Sequence, residues 1–181
     1  MIPMNDIESL ANLYMFRSVS RSDLSELCAL APPTSFKQGH ILFRQGQPAD
    51  VALLVLDGRL IAEVSGGEAV KTVGDIRPGE IVGERALFSR GGRRSATVSA
   101  AEPSKCLLLS WDSLERGAHN AAMVAVERHL LGSLSRRIRS TNGVIQQAWK
   151  AADRVENTGA GQEDAPSTLR DRLRNLWGGL R

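Results

Sequence analysis

Pro78-Gly-Glu-Ile-Val-Gly83-Glu84-Arg85-Ala86-Leu87-Phe-Ser-Arg-Gly-Gly-Arg93-Arg94-Ser95-Ala96-Thr-Val98 is the stretch on which the reading of this chain turns. Gly83 permits close backbone approach, and Glu84-Arg85-Ala86-Leu87 is long enough for one short helical turn. The N–H groups at the start of such a turn have no partners inside it and form a nest for an anion. Arg94 follows about ten residues later, at the start of the next expected strand, and can bring a guanidinium to the same anion. Its bidentate fork fits phosphate geometry better than a lysine would. A carboxylate such as Glu84 beside an anion makes sense only if the ligand also offers hydroxyl donors, and a sugar phosphate offers both.

On both sides of this stretch, from Thr34 to Ser110, short β-rich runs alternate with glycine-containing turns. The runs are Ile41-Leu-Phe, Val51-Ala-Leu-Leu-Val-Leu, Leu60-Ile-Ala-Glu-Val, Val70-Lys-Thr-Val, Ala96-Thr-Val and Cys106-Leu-Leu-Leu. Lys37-Gln-Gly, Gln45-Gly-Gln-Pro, Asp57-Gly, Gly66-Gly67 and Arg77-Pro-Gly separate them. Strands recurring at about 8–12 residues predict a closed or double-sheet β architecture.

Helical texture flanks the β region. Residues 5–31 place Ile7, Leu10, Leu13 and Tyr14, then Leu24, Leu27 and Leu30, at helical spacing, with Asp6 and Ser22 as candidate N-caps and Pro32-Pro33 as the stop. From Ser113 to about Val155, Leu130, Leu131, Leu134, Ile138, Val144, Ile145 and Trp149 can share one apolar face. Residues 156–168 are small, polar and glycine-containing and read as a linker. Beyond them Leu169, Leu173, Leu176, Trp177 and Leu180 fall on one face of a short helix carrying Arg170, Arg172 and Arg174. So short a helix is marginal alone in water and needs a surface to bind. The expected organisation is a domain over 1–155, a linker over 156–168 and an amphipathic helix or tail over 169–181.

Composition narrows the function classes. With 42% hydrophobic residues the chain can bury a core, and with 4% aromatics that core rests on Val, Leu, Ile and Ala. A formal net charge of +3 falls short of the dense basic footprint of a dedicated nucleic-acid binder. No run approaches the roughly 18–20 apolar residues of a membrane span. The N-terminus carries Asp6 and Glu8 where a signal peptide carries basic residues, so a cytoplasmic protein is expected. Cys28 and Cys106 lie far apart in apolar runs and read as reduced core thiols. His40, His119 and His129 show no metal-ligand spacing, and no nucleophile-elbow pattern occurs, so neither a metal site nor an enzyme is expected.

The cassette Gly83-Glu84-x-Ala86-Leu87 followed by Arg94-Ser95-Ala96 resembles the phosphate-binding cassette of the cyclic-nucleotide-binding domain family. That family includes the bacterial catabolite activator and the regulatory subunits of protein kinase A. The resemblance covers about residues 5–150, including Phe43-Arg-Gln-Gly-Gln-Pro-Ala-Asp50 before a strand and Leu56-Asp-Gly-Arg after it. It implies a mainly β fold with flanking helices: a jelly-roll-type β-roll with N-terminal helices and a long C-terminal helix. It also implies a cyclic nucleotide as ligand, cAMP or possibly cGMP. Glu84 would hold the ribose 2′-hydroxyl and Arg94 the cyclic phosphate, with Gly83, Ala86, Ser95, Ala96 and nearby amides around the phosphate. Thr141 and Asn142, after Ser135-Arg-Arg-Ile-Arg, would face the base. Asn142 departs from the serine of the catabolite activator, and Arg85 stands where the family often has an apolar residue.

Plainer readings stand beside these. Glu84 and Arg94 could form an ion pair that closes a loop, and Thr141 and Asn142 could be ordinary helix-surface residues. The leading expectation is a cAMP receptor that signals to a separate protein partner through residues 169–181. A homodimer through the long helix is a further possibility. Only 31 residues follow Lys150, nearly half of them linker, so no helix-turn-helix and no direct DNA binding are expected. The alternatives are an interaction or scaffold protein that uses the fold without nucleotide, and an enzyme.

Overall fold

The computed structural model describes residues 4–66, 69–88 and 91–158, with side chains as far as Ala151. Helices α1 (Met4–Ala11) and α2 (Arg21–Leu30) flank a 3-10 turn at Tyr14–Phe16. Eight strands follow: β1 (Pro33–Phe36), β2 (Ile41–Phe43), β3 (Val51–Asp57), β4 (Leu60–Gly66), β5 (Ala69–Ile76), β6 (Ile81–Val82), β7 (Thr97–Ala100) and β8 (Ser104–Ser110). A second 3-10 turn, Glu84–Leu87, lies between β6 and β7, and α3 (Trp111–Arg116) and α4 (Ala121–Thr158) complete the order.

The strands form two four-stranded antiparallel sheets, β1-β8-β3-β6 and β2-β7-β4-β5. The unbroken apolar run of β3 has a clear cause: the strand is buried on both faces. Leu53 and Val55 pack with Cys106 of β8 against Phe43, Leu60, Ala62, Ile76, Val98 and Ala100 of the other sheet. Ala52, Leu54 and Leu56 point the opposite way, with Leu107 and Leu109, into a second core closed by Leu10, Leu24, Leu27 and the start of α4. Cys28 and Cys106 are both buried free thiols. Burial pushes their thiols up to about 11 and about 12, with Asp6 adding to the effect at Cys28.

The two apolar sets of region 5–31 form two helices joined through a 3-10 turn. Two local expectations are corrected. Ser20, not Ser22, caps α2: its hydroxyl accepts from the Asp23 amide and donates to the Asp23 carboxylate. Asp6 lies in the first turn of α1 rather than at its N-cap and is buried against Lys105 of β8, with its Oδ1 2.5 Å from Nζ, so its carboxylate is engaged across the fold.

The chain divides into two units, Met1–Leu131 and Gly132–Arg181. The division falls within α4. In the first unit Ala122, Met123, Val126 and Leu130 anchor the start of α4 in the core. α4 runs on to Thr158, three residues into the stretch read as linker. The rest of the linker and the segment 169–181 lie outside the described residues. Among the described residues no helix is long and apolar enough to cross a membrane.

Candidate functional site

The site is built where a loop and a turn meet at the ends of β2, β3, β6 and β7. Gly83 follows β6 with φ +78° and ψ 20°, the left-handed region that side chains resist, and this reverses the chain into the turn Glu84–Leu87. A second constraint fixes glycine there. A Cβ would stand 2.6 Å from Arg94 Nη1 and 3.0 Å from the Phe43 ring. Ala86 and Leu87 are buried and seat the turn, whereas Arg85 is exposed. The Ala86 amide donates to the Gly83 carbonyl at 3.0 Å, so this amide closes the turn rather than standing open to a ligand.

Arg94 is positioned by its backbone before its side chain. Its amide donates to the Gln47 carbonyl and its carbonyl accepts from the Gly46 amide, each at 2.8 Å. The Ala49 amide donates to the Gly92 carbonyl and Arg93 Nη1 to the Gly46 carbonyl. The loop between β2 and β3 is thereby laced to the residues before β7.

The Arg94 side chain then turns inward and is buried. Its guanidinium lies over the Phe43 ring, 3.5 Å from the centroid, a cation–π contact. Nη1 donates to the Val51 carbonyl at 2.7 Å, and Nη2 stands 3.3 Å from Asp50 Oδ1. Burial lowers the pKa of the guanidinium, opposed by the Asp50 carboxylate. Arginine starts so high that the group remains a cation. A buried cation whose carboxylate partner is exposed offers an anion a place to bind.

The structure thus brings Gly83 and Arg94 together, with Ala86 and Glu84 on the same turn. Ser95, exposed, and Ala96, half-buried, follow Arg94 directly. Among the described residues Arg94 pairs with Asp50. Thr141 and Asn142 lie in the second unit, exposed on α4, where Thr141 Oγ1 donates to the Arg137 carbonyl at 3.0 Å. Sequence reasoning missed Phe43 and Asp50 as members of the site. Both bracket the loop of residues 44–49, and the signal was a carboxylate placed immediately before a buried strand.

The family model described as "Cyclic nucleotide-binding domain" matches residues 33–121, the span that holds both sheets and the whole of this site. The chain belongs to the cyclic nucleotide-binding domain family. The acetyltransferase Pat of Mycolicibacterium smegmatis is 35% identical over 130 residues, which cover 72% of this chain and 36% of that protein. A CRP-like cAMP-activated global transcriptional regulator of Mycobacterium tuberculosis is 28% identical over 138 residues, 75% of this chain and 59% of the regulator. The chain therefore spans between about a third and three-fifths of the length of these relatives. The catabolite activator protein of Thermus thermophilus, at 24% identity, has the same fold with a TM-score of 0.63, over 74% of this chain and 62% of that one.

Proposed function

We propose that this protein is a cyclic nucleotide receptor whose primary ligand is cAMP. The observation that carries the reading is Arg94: a buried guanidinium beside the left-handed Gly83 turn, paired at one edge with an exposed carboxylate that a ligand phosphate can replace. In this reading Arg94 binds the cyclic phosphate and Glu84 accepts from the ribose 2′-hydroxyl. The phosphate lies over Gly83 and Ser95-Ala96. For Thr141 and Asn142, recognition of the base rests on the family resemblance alone, and Arg85 is exposed. The preference for cAMP is supported by the cAMP-activated regulator among the relatives.

Binding is the whole activity proposed for the described residues, with no catalytic step. The acetyltransferase relative is matched over only 36% of its length, and its activity does not come with that match. Output to a protein partner through residues 169–181 remains a proposal from sequence. A homodimer through α4 is supported by its exposed Ile138, Val144, Ile145 and Trp149, an apolar set that a second helix would cover.

The test is thermal unfolding and calorimetric titration with cAMP and cGMP. A ligand specific for the native state, at about 100 times its dissociation constant, adds about 2.7 kcal/mol of stability. A melting temperature unmoved by either nucleotide at millimolar concentration would overturn the receptor reading and favour a scaffold that uses the fold without ligand.

A further inference from the structure

Away from the Arg94 site lies a cavity that shares no residue with it. It holds about 590 Å³, within the range of roughly 300–1,000 Å³ typical of small-molecule sites. Its walls are the turn between β5 and β6, the end of β3, the end of α1 with the 3-10 turn that follows, and His129 of α4. Hydrogen bonds hold the first of these walls in place. The Gly79 amide donates to the Val55 carbonyl at 2.9 Å, and the Val55 amide to the Glu80 carbonyl at 3.0 Å. The Arg77 amide donates to Glu80 Oε2 at 2.8 Å. A Cβ placed on Gly79 would meet only Leu13 Cδ2, at 3.8 Å, so space remains between this turn and Leu13.

The chemistry of the lining selects its occupant. Leu13 and Leu56, both buried, give it an apolar floor. Tyr14 stands at the rim, 80% exposed, and its ring already carries the Arg17 guanidinium 4.9 Å from the centroid. Asp57 and Glu80 bring two carboxylates, and no lysine or arginine is among the lining residues. Such a lining repels the anion that Arg94 attracts. It does not suit a metal ion either, because among the described residues no three His, Cys, Asp or Glu side chains meet as ligands. An organic ammonium uses both halves of the lining, its charge on the acids and its body on the apolar floor. We propose that this cavity binds a small organic amine in its ammonium form, with its apolar body on Leu13 and Leu56 and its charge held by Asp57 and Glu80. The inference is independent of the nucleotide reading. Both acids are exposed, so each pair is solvated, and Asp57→Asn or Glu80→Gln weakens amine binding by about 2- to 5-fold. The glutamine keeps an oxygen for the Arg77 amide, so the turn is preserved.

The experiment titrates the full chain with tryptamine, tryptophol and indole-3-propionate, following backbone amide resonances by NMR. The three carry an ammonium, a hydroxyl and a carboxylate on the same indole body, so charge is the variable. Tryptamine is expected to bind tightest, tryptophol about 3- to 10-fold more weakly, and indole-3-propionate weakest. The resonances that move are those of Leu13, Tyr14, Asp57, Gly79 and Glu80, while Gly83 and Arg94 stay in place. Equal affinity for the three molecules, shifts centred elsewhere, or no shift up to about 10 mM tryptamine would each overturn the proposal. So would Asp57→Asn and Glu80→Gln proteins that both bind tryptamine as the wild type does. The comparison of the three molecules on the unaltered chain decides the matter even where a variant fails to fold.

Discussion

Two ion pairs with a buried member sit in the same unit and are built in opposite senses. In Lys105–Asp6 the acid is the buried member, 6% exposed, and a lysine of β8 at 30% exposure reaches in to neutralise it. In Arg94–Asp50 the cation is buried and the acid stands in solvent. The first pair ties α1 to β8 across 99 residues of sequence. Its charges are committed to each other, and removal of the lysine leaves Asp6 a buried orphan. The second leaves the buried charge with a partner that can depart. Which member is buried decides whether a pair is a tie or a site.

The sharpest way to break this contrast is Arg94→Ala. Loss of a desolvated phosphate partner costs about 2–5 kcal/mol, or roughly 30- to several-thousand-fold in cyclic nucleotide affinity by calorimetry. Wild-type affinity in a folded Arg94→Ala protein would remove the site from this pair. Asp6→Ala has the complementary signature: stability to urea falls by about 1.5–3 kcal/mol, and nucleotide affinity is unchanged. A drop in affinity would mean that the tie is part of the site. Gly83→Ala places a side chain in the left-handed region, costing about 1–2 kcal/mol. Its Cβ also pushes on Arg94 Nη1, so affinity falls along with stability. Loss of stability alone would mean that the guanidinium moves aside freely. The smallest effect belongs to Asp50→Ala. Water replaces the carboxylate at the open edge of Arg94, and the unfolding free energy changes by less than about 1 kcal/mol. A cost equal to that of Asp6→Ala would erase the distinction between the two pairs.

The cassette was legible in sequence because its demands are local. A glycine with positive φ, a four-residue turn and an arginine lie within one stretch, and that stretch alone identified the family. The partners of Arg94 were not legible. Phe43 and Asp50 stood only as the two ends of one run before β3, and they reach Arg94 only after β2 and β3 have folded. Strand β3 was plain as an apolar run, whereas β1 and β6 were not. Pro33–Phe36 carries no apolar alternation and becomes a strand by pairing with β8, and Ile81–Val82 is two residues borrowed by β3. Ser20 and Ser22 are equally good cap residues by type, and geometry alone chose Ser20. Asp6 looked like a cap for the same reason of type, and the long-range contact with Lys105 overrode it.

The start of α4 hangs on one side chain. Asn120 Oδ1 accepts from the Ala122 and Met123 amides, while Nδ2 donates to the Asp23 carbonyl and to Glu26 Oε2 of α2. One amide thus serves as cap for one helix and strap for another. In mechanical terms it is a clamp and not a pivot. The first turn of α4 cannot rotate by itself without stranding two amides and a carboxylate, so a displacement there is transmitted to α2 as a single rigid piece. Beyond the clamp, Gly132 and Gly143 each weaken the helix by about 1 kcal/mol relative to alanine.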